Sequence, residues 1–222
     1  MANSSGSTKV ISIPKRGENL AEFIGIMLGD GNIFSYRKGK KISVHSVRIA
    51  GNSGADRDYI EHFVAPLSEK LFGIKSHIVF HKKFNCIYAV MYSVQLVNFL
   101  SKQGLLPGNK IKNNVSIPRW IWKNDKFIEA CIRGLIDTDG SLYELTSQNI
   151  YQINFKNKNI RLLKDARRAF LKLDFHVSKI SKNSSIYLTR KEDLKRFYRE
   201  IGSNNPKNIR KSQVILNNSP VV

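Results

Sequence analysis

Two aspartates, Asp30 and Asp139, occupy equivalent places in stretches that align without a gap: Leu20 to Phe34 (LAEFIGIMLGDGNIF) and Glu129 to Tyr143 (EACIRGLIDTDGSLY). In each, apolar residues at helical spacing lead up to the acid, which therefore falls at a helix C-terminus. The dipole there is negative, and a carboxylate costs roughly 0.3 to 1 kcal/mol. Gly31 and Gly140 follow directly and read as left-handed C-terminal caps. A local rule broken twice at matching positions predicts a compensating charge, and a divalent cation between two helix ends would supply it. If the helices pair about a pseudo-two-fold axis, Asp30 and Asp139 meet at the base of the pair. The carbonyls of Gly29 and Thr138 then become further oxygen ligands for a hard ion such as Mg2+. Small residues four apart, Gly25 with Gly29 and Gly134 with Thr138, allow the close helix crossing that this requires.

The charge balance indicates what such a site would act on. There are 37 basic against 17 acidic side chains, a net +20 in 222 residues, and no long block of lysines or arginines, so the charge is spread over a folded surface suited to nucleic acid. The natural substrate for carboxylate-held magnesium on such a surface is a phosphodiester. Other chemistries lack their residues. No apolar run approaches the ~18 residues of a membrane span, and the polar start has no hydrophobic leader, so an unexported, intracellular protein is expected, in the cytoplasm or an organelle. The five histidines never combine with Cys86 or Cys131 at zinc-ligand spacing. The two cysteines sit in apolar stretches and read as small buried hydrophobes. There is no P-loop and no Glu-x-Lys.

The elements that must hold the two acids also come in duplicate. Ile11-Ser12-Ile13-Pro14-Lys15 answers Val115-Ser116-Ile117-Pro118-Arg119, Ile87-Tyr88 answers Ile186-Tyr187, and Pro107 with Lys110 answers Pro206 with Lys207. Each half reads as αββαββα, giving an α+β protein of two pseudo-symmetric halves. The first half is expected to have helices at Asn19 to Asp30, Asp56 to Phe72 and Val94 to Lys102. Its strands fall at Ile33 to Arg37, Ile42 to Ala50, His77 to His81 and Cys86 to Tyr92, with Gly39 at a turn. The second has helices at Asp125 to Asp139, Ile160 to Leu173 and Lys191 to Ile201, and strands at Leu142 to Thr146, Ile150 to Lys156, Val177 to Ser181 and Ser185 to Thr189. The organisation is then a tail at 1–9, a first half at 10–114 and a second at 115–222. The halves join through a linker at Asn113 to Trp122, short enough to keep them packed together. Trp120 and Trp122 anchor it to the core.

Phe23-Ile24-Gly25-Ile26-Met27-Leu28-Gly29-Asp30-Gly31 and Ile132-Arg133-Gly134-Leu135-Ile136-Asp137-Thr138-Asp139-Gly140 resemble the two motifs of a single-chain LAGLIDADG homing endonuclease. The resemblance implies that the motif helices form the interface between halves and that each half adds a curved, four-stranded antiparallel sheet to a DNA-binding saddle. It also implies that the last acid of each motif, Asp30 and Asp139, binds the metals that cut both strands. Where the family has an earlier acid, this chain has Leu28 and Asp137, the latter a hydrogen-bonded or solvated helix residue. A solvent-organising lysine of the family maps to Lys110 and Lys207, with Lys112, Arg210 and Lys211 within reach of the same register. A polar residue after the second strand maps to Asn52 in half one and to Asn157 or Lys158 in half two.

For base reading, sheet faces should alternate apolar residues toward the helices with polar ones toward the duplex. Gln152, Asn154 and Lys156 alternate in this way with Tyr151, Ile153 and Phe155. Further expected contacts are Tyr36, Arg37, Lys38, Lys41, Arg48, His81, Lys82, Lys179, Lys182 and Arg190, mixing base readers with phosphate clamps. The expected activity is that of a monomeric, intron-encoded, free-standing endonuclease without an obligate protein partner. It would cut a long pseudo-palindromic or asymmetric duplex with Mg2+, with Mn2+ able to substitute and Ca2+ supporting binding alone, and the resemblance implies that the cut leaves short 3' overhangs. Two other readings use the same scaffold: an intron maturase that binds structured RNA, and a DNA-binding protein without catalysis.

Overall fold

Helix α1 (Glu18–Gly29) is buried from Leu20 to Gly29, which an amphipathic surface helix would not be. It is enclosed because it packs along α5 (Asp125–Asp139), the most extensive helix pairing in the molecule. The computed structural model describes residues 10–38, 42–145 and 150–217. The expected tail at 1–9, the turn at Gly39 and Lys41 lie outside them.

Glycine sets the depth of the crossing. A Cβ on Gly25 would overlap the Cys131 carbonyl oxygen and lie 3.1 Å from the Leu135 nitrogen. One on Gly134 would overlap the Glu22 carbonyl oxygen and lie 2.8 Å from the Ile26 nitrogen. Because residue 25 meets 131 and 135 while residue 29 meets 138, the two helices run in the same direction and their C-termini emerge together. Gly134→Ala would push these backbones apart, and a loss of about 3 kcal/mol in urea unfolding is expected; an unchanged midpoint would contradict the packing.

Each motif helix delivers the chain straight into a strand. β1 (Gly31–Lys38) and β2 (Ile42–Asn52) form a hairpin, followed by α2 (Arg57–Tyr59), a π turn (Ile60–Val64) and α3 (Ala65–Phe72). Then come β3 (His77–His81), β4 (Cys86–Tyr92) and α4 (Val94–Lys102). The first sheet is antiparallel in the order β1-β2-β4-β3. Ile33, Val47, Ile49, Ile87, Ala89 and Met91 are buried toward the helices, as period-two alternation requires.

In the second half, β5 (Gly140–Leu145) and β6 (Ile150–Lys156) lead to α6 (Ile160–Lys172), β7 (Ser185–Leu188), α7 (Lys191–Arg196) with a π turn (Phe197–Ile201), and α8 (Pro206–Asn217). This sheet has three strands, β5-β6-β7, where four were expected. The segment Val177 to Ser181 contributes one isolated bridge, Val177 to Leu188. The carbonyl of Ser178 is diverted to the Arg167 guanidinium at 2.9 Å, and the Ser178 hydroxyl takes its place as acceptor for the Tyr187 amide at 3.0 Å. A strand ladder needs that carbonyl, so it stops there.

Two other expectations are corrected. Gly31 and Gly140 are not left-handed caps: neither is among the positive-φ residues, and Gly140 is extended at φ −87°, ψ 160°. They are glycines because the chain turns back against the last helical turn. A Cβ on Gly31 would lie 2.6 Å from the Met27 oxygen, and one on Gly140 2.5 Å from that of Ile136. The second correction is α8, a helix absent from the expected αββαββα pattern. Asn205 caps it through Oδ1, accepting from the Lys207 amide at 3.0 Å, with Pro206 at its first position.

The linker ties the halves together. Trp120 donates to Gln103 at 2.9 Å and packs edge-on against Phe127, while Trp122 donates to the Ile117 carbonyl at 3.3 Å. Asn159 donates to the Val115 carbonyl, and the Ile117 amide to Asp165. Cys86 and Cys131 are free thiols. No helix among the described residues is long and apolar enough to cross a membrane.

Candidate active site

The parallel crossing of α1 and α5 brings Asp30 and Asp139 to the same end of the helix pair, where β1 and β5 begin, close enough that Asp139 and Lys110 both act on Asp30. Burial and then the Asp139 charge push Asp30 up to about 7, against an opposing pull from Lys110. Asp139 is also raised by burial, with Lys110 and a hydrogen bond from Asn157 working the other way. Two partly desolvated like charges facing each other favour a proton or a cation between them.

Lys110 lies beside both acids. Its ammonium donates to the carbonyl oxygens of Gly29, Leu28 (3.1 Å) and Met27 (3.5 Å), so it satisfies the exposed carbonyl end of α1. Burial pulls its pKa down, while Asp139 and Asp30 hold it up. The Gly29 carbonyl, expected as a metal ligand, is thus hydrogen-bonded to Lys110. The Thr138 hydroxyl folds back on its own helix, donating to the Gly134 and Leu135 carbonyls, and fills the space beside Gly29.

Asn157 donates to Asp139 Oδ2 at 2.7 Å. Of the alternatives Asn157 and Lys158, Asn157 is therefore the one that touches the acid; Lys158 is exposed. Asn52 does not reach Asp30. Its Oδ1 accepts from the Gly54 and Ala55 amides, while its own amide donates to Asp56 at 3.0 Å.

Asp56 is a member that sequence reasoning missed. Its Oδ1 accepts from Lys207 at 2.8 Å and from Asn205 at 3.0 Å. Burial pushes its pKa up, but these bonds and the Asn52 amide outweigh it and hold the carboxyl below its usual range. Lys207 is thereby fixed by the opposite half, near enough to Asp30 to act on it electrostatically. The visible signal for Asp56 was its position just before the helix after β2, where the second half has Asn159.

Asp137 is structural. It is 2% exposed and binds the Ser203 hydroxyl, the Asn204 amide at 2.7 Å and the Asn208 side chain at 3.1 Å. Burial raises it to about 6 against those bonds. Glu22, also buried, pairs with Arg133 across the interface at 2.8 Å.

The outer sheet faces carry the remaining expected residues. On the first sheet, Tyr36 is exposed, Arg48 lies over the Phe34 ring at 5.9 Å, and His81 at the end of β3 and Lys82 in the turn after it are exposed. Arg37 and Lys38 close β1 by backbone. On the second, Lys156 is exposed, Asn154 is half-buried, and Gln152 is 7% exposed with its amide donated to the Tyr143 hydroxyl. Lys179, Lys182 and Arg190 are exposed beyond the sheet edge.

As a cation site the donor set has a definite character. Among the described residues no three His, Cys, Asp or Glu side chains converge, so a soft or structural metal has no cage. Two facing carboxylates fit magnesium, which uses one or two protein carboxylates and takes its other oxygens from phosphate and water.

Residues 126–202 match the family model of a LAGLIDADG-like domain. Solved structures extend the likeness to most of the chain at the level of fold. The homing endonuclease I-DmoI in complex with DNA and Mn is 20% identical, with 84% of this chain and 97% of that one covered at a TM-score of 0.57. The LAGLIDADG homing endonuclease I-LtrWI bound to target DNA is 12% identical, with 90% of each chain covered and a TM-score of 0.53. The meganuclease I-SmaMI bound to uncleavable DNA is 13% identical, with 88% of each covered and a TM-score of 0.57. No curated protein matches the sequence significantly.

Proposed function

We propose, from a LAGLIDADG-like domain in the second half and the LAGLIDADG homing endonuclease fold across both halves, that this chain is a site-specific double-strand DNA endonuclease. The observation that carries the reading is the convergence of Asp30 and Asp139, one from each half, with Lys110 and Lys207 beside them.

Asp30 and Asp139 would hold the divalent cation, Mg2+ by the oxygen donor set, which supplies Lewis-acid stabilisation of phosphodiester oxygens and a more acidic water. The chain's own groups prepare that site. Asn157 occupies Asp139 Oδ2 and orients the carboxylate. Lys110 lowers the cost of ionising both acids. Lys207, held by Asp56, is a positioned cation for a phosphate oxygen. The outer faces of the two sheets differ in residue type, so each reads its own half-site and the target is asymmetric. One chain carries both acids and acts as a monomer, cutting each strand near the centre and leaving short 3' overhangs.

Cleavage of a randomised duplex library in Mg2+, with Ca2+ as the non-cutting comparison and the ends sequenced, tests this. One family of staggered ends is expected, and Asp139→Asn should abolish cutting while leaving duplex binding within about twofold. Absence of cut ends in both Mg2+ and Mn2+, or full cleavage by Asp139→Asn, would overturn it.

A further inference from the structure

Between the N-terminal ends of α1 and α5, away from the aspartates, lies a cleft of about 520 Å³ lined by Arg16, Lys102, Arg119, Lys123 and Arg161, with Trp120 in its wall. The five cations come from four segments in both halves: the approach to α1, the end of α4, the linker turn before α5 and the first turn of α6. All five are exposed. No acid lines the cleft, and among the described residues none of the five forms an ion pair. Arg161 acts electrostatically on Asp165, a carboxylate already accepting from the Ile117 amide. The Arg16 guanidinium is stacked 5.7 Å from the Trp120 ring centroid. Through Arg16 the cleft adjoins a second one of about 680 Å³, which adds Lys15 and Lys70 against a single acid, Glu18.

Converging like charges without counter-charges raise the local potential and concentrate polyanions. The distribution over two adjoining clefts suits an extended chain of phosphates better than one small anion. The 12 residues of α1 separate this end from Asp30 by roughly 18 Å at 1.5 Å per residue, so phosphates bound at the aspartates do not occupy it. A stiff duplex, with a persistence length of about 150 base pairs, does not bend into a recess of this size, whereas a flexible strand can lower its phosphates into it.

We propose that this cleft is a second nucleic-acid site, which binds the sugar–phosphate backbone of a single strand while duplex occupies the sheets. The single strand is RNA or single-stranded DNA, which share that chemistry.

Lysine acetylation footprinting of the full chain in EDTA, with duplex DNA, single-stranded RNA and single-stranded DNA of random sequence as probes, tests the assignment. With duplex already bound, a single strand should protect Lys102 and Lys123. The exposed double substitution Arg119→Glu/Lys123→Glu should weaken single-strand binding about tenfold and lower its salt slope by about 1.4, at roughly 0.7 per phosphate contact. Protection by RNA alone would identify RNA as the occupant, and protection by both would make the site indifferent to the sugar. Lys102 and Lys123 remaining reactive with either strand, or unchanged affinity of the double variant, would overturn the proposal. Failure of duplex to protect Lys82 and Lys156 would count instead against the endonuclease reading, so the two fail separately.

Discussion

Asp30→Asn is expected to stabilise the metal-free protein by on the order of 2–4 kcal/mol at pH 8 while ending cleavage. Asp30 titrates near 3.8 when solvated and at about 7 in the fold, where burial and then Asp139 oppose its charge. Each pKa unit corresponds to about 1.4 kcal/mol. Between these values the folded state holds the proton that the unfolded state has released. Stability therefore falls as pH rises through roughly 4 to 7, and the loss is complete above the folded value. Urea unfolding in EDTA across this range should show a steeper decline in the parent than in Asp30→Asn, which keeps the contributions of the raised Asp137 and Asp139. Identical slopes would remove the basis for treating Asp30 as a strained carboxylate. The gain in stability at the expense of activity is the trade expected of a site built to hold a cation.

Arg133→Met is expected to cost about 3–5 kcal/mol, because it strands Glu22. Glu22 is 3% exposed and receives Arg133 at 2.8 Å and the Asn204 amide. Arg133 also donates to the Ile201 carbonyl at 2.8 Å, so the guanidinium joins α1, α5 and the π turn after α7. Glu22→Met/Arg133→Met removes both charges together and should recover most of the loss. A double variant as unstable as the single one would mean that packing around Arg133, rather than the buried charge, sets the effect.

How far the sequence reveals this molecule depends on the range of the interaction responsible. The motif helices, β3, β4, α4 and β6 are legible because apolar spacing and adjacent caps specify them locally, as Asn124 does by accepting the Lys126 amide at the start of α5. The lost strand at Val177 to Ser181 is not legible. The β-branched Val177 and Ile180 suit a strand, and it is Arg167 on a neighbouring helix that diverts the Ser178 carbonyl. Helix α8 carries a readable Asn205-Pro206 start, but its buried apolar spacing is sparse, with Ile215 alone in the core. At the site, Asp30 and Asp139 stand out because the motif is written twice. The bond from Lys207 to Asp56 spans 151 positions between halves and exists only once the halves are placed.

The contacts at Gly25 and Gly134 are made by main chain against main chain. The gap between the two aspartates is therefore a fixed calliper, whose setting is a property of peptide geometry and not of any side chain's length. Exposed positions on the sheets, such as Tyr36, Arg48 and Lys156, lie outside that constraint. Side chains can be exchanged there without moving the two acids, whose spacing stays where the backbone sets it.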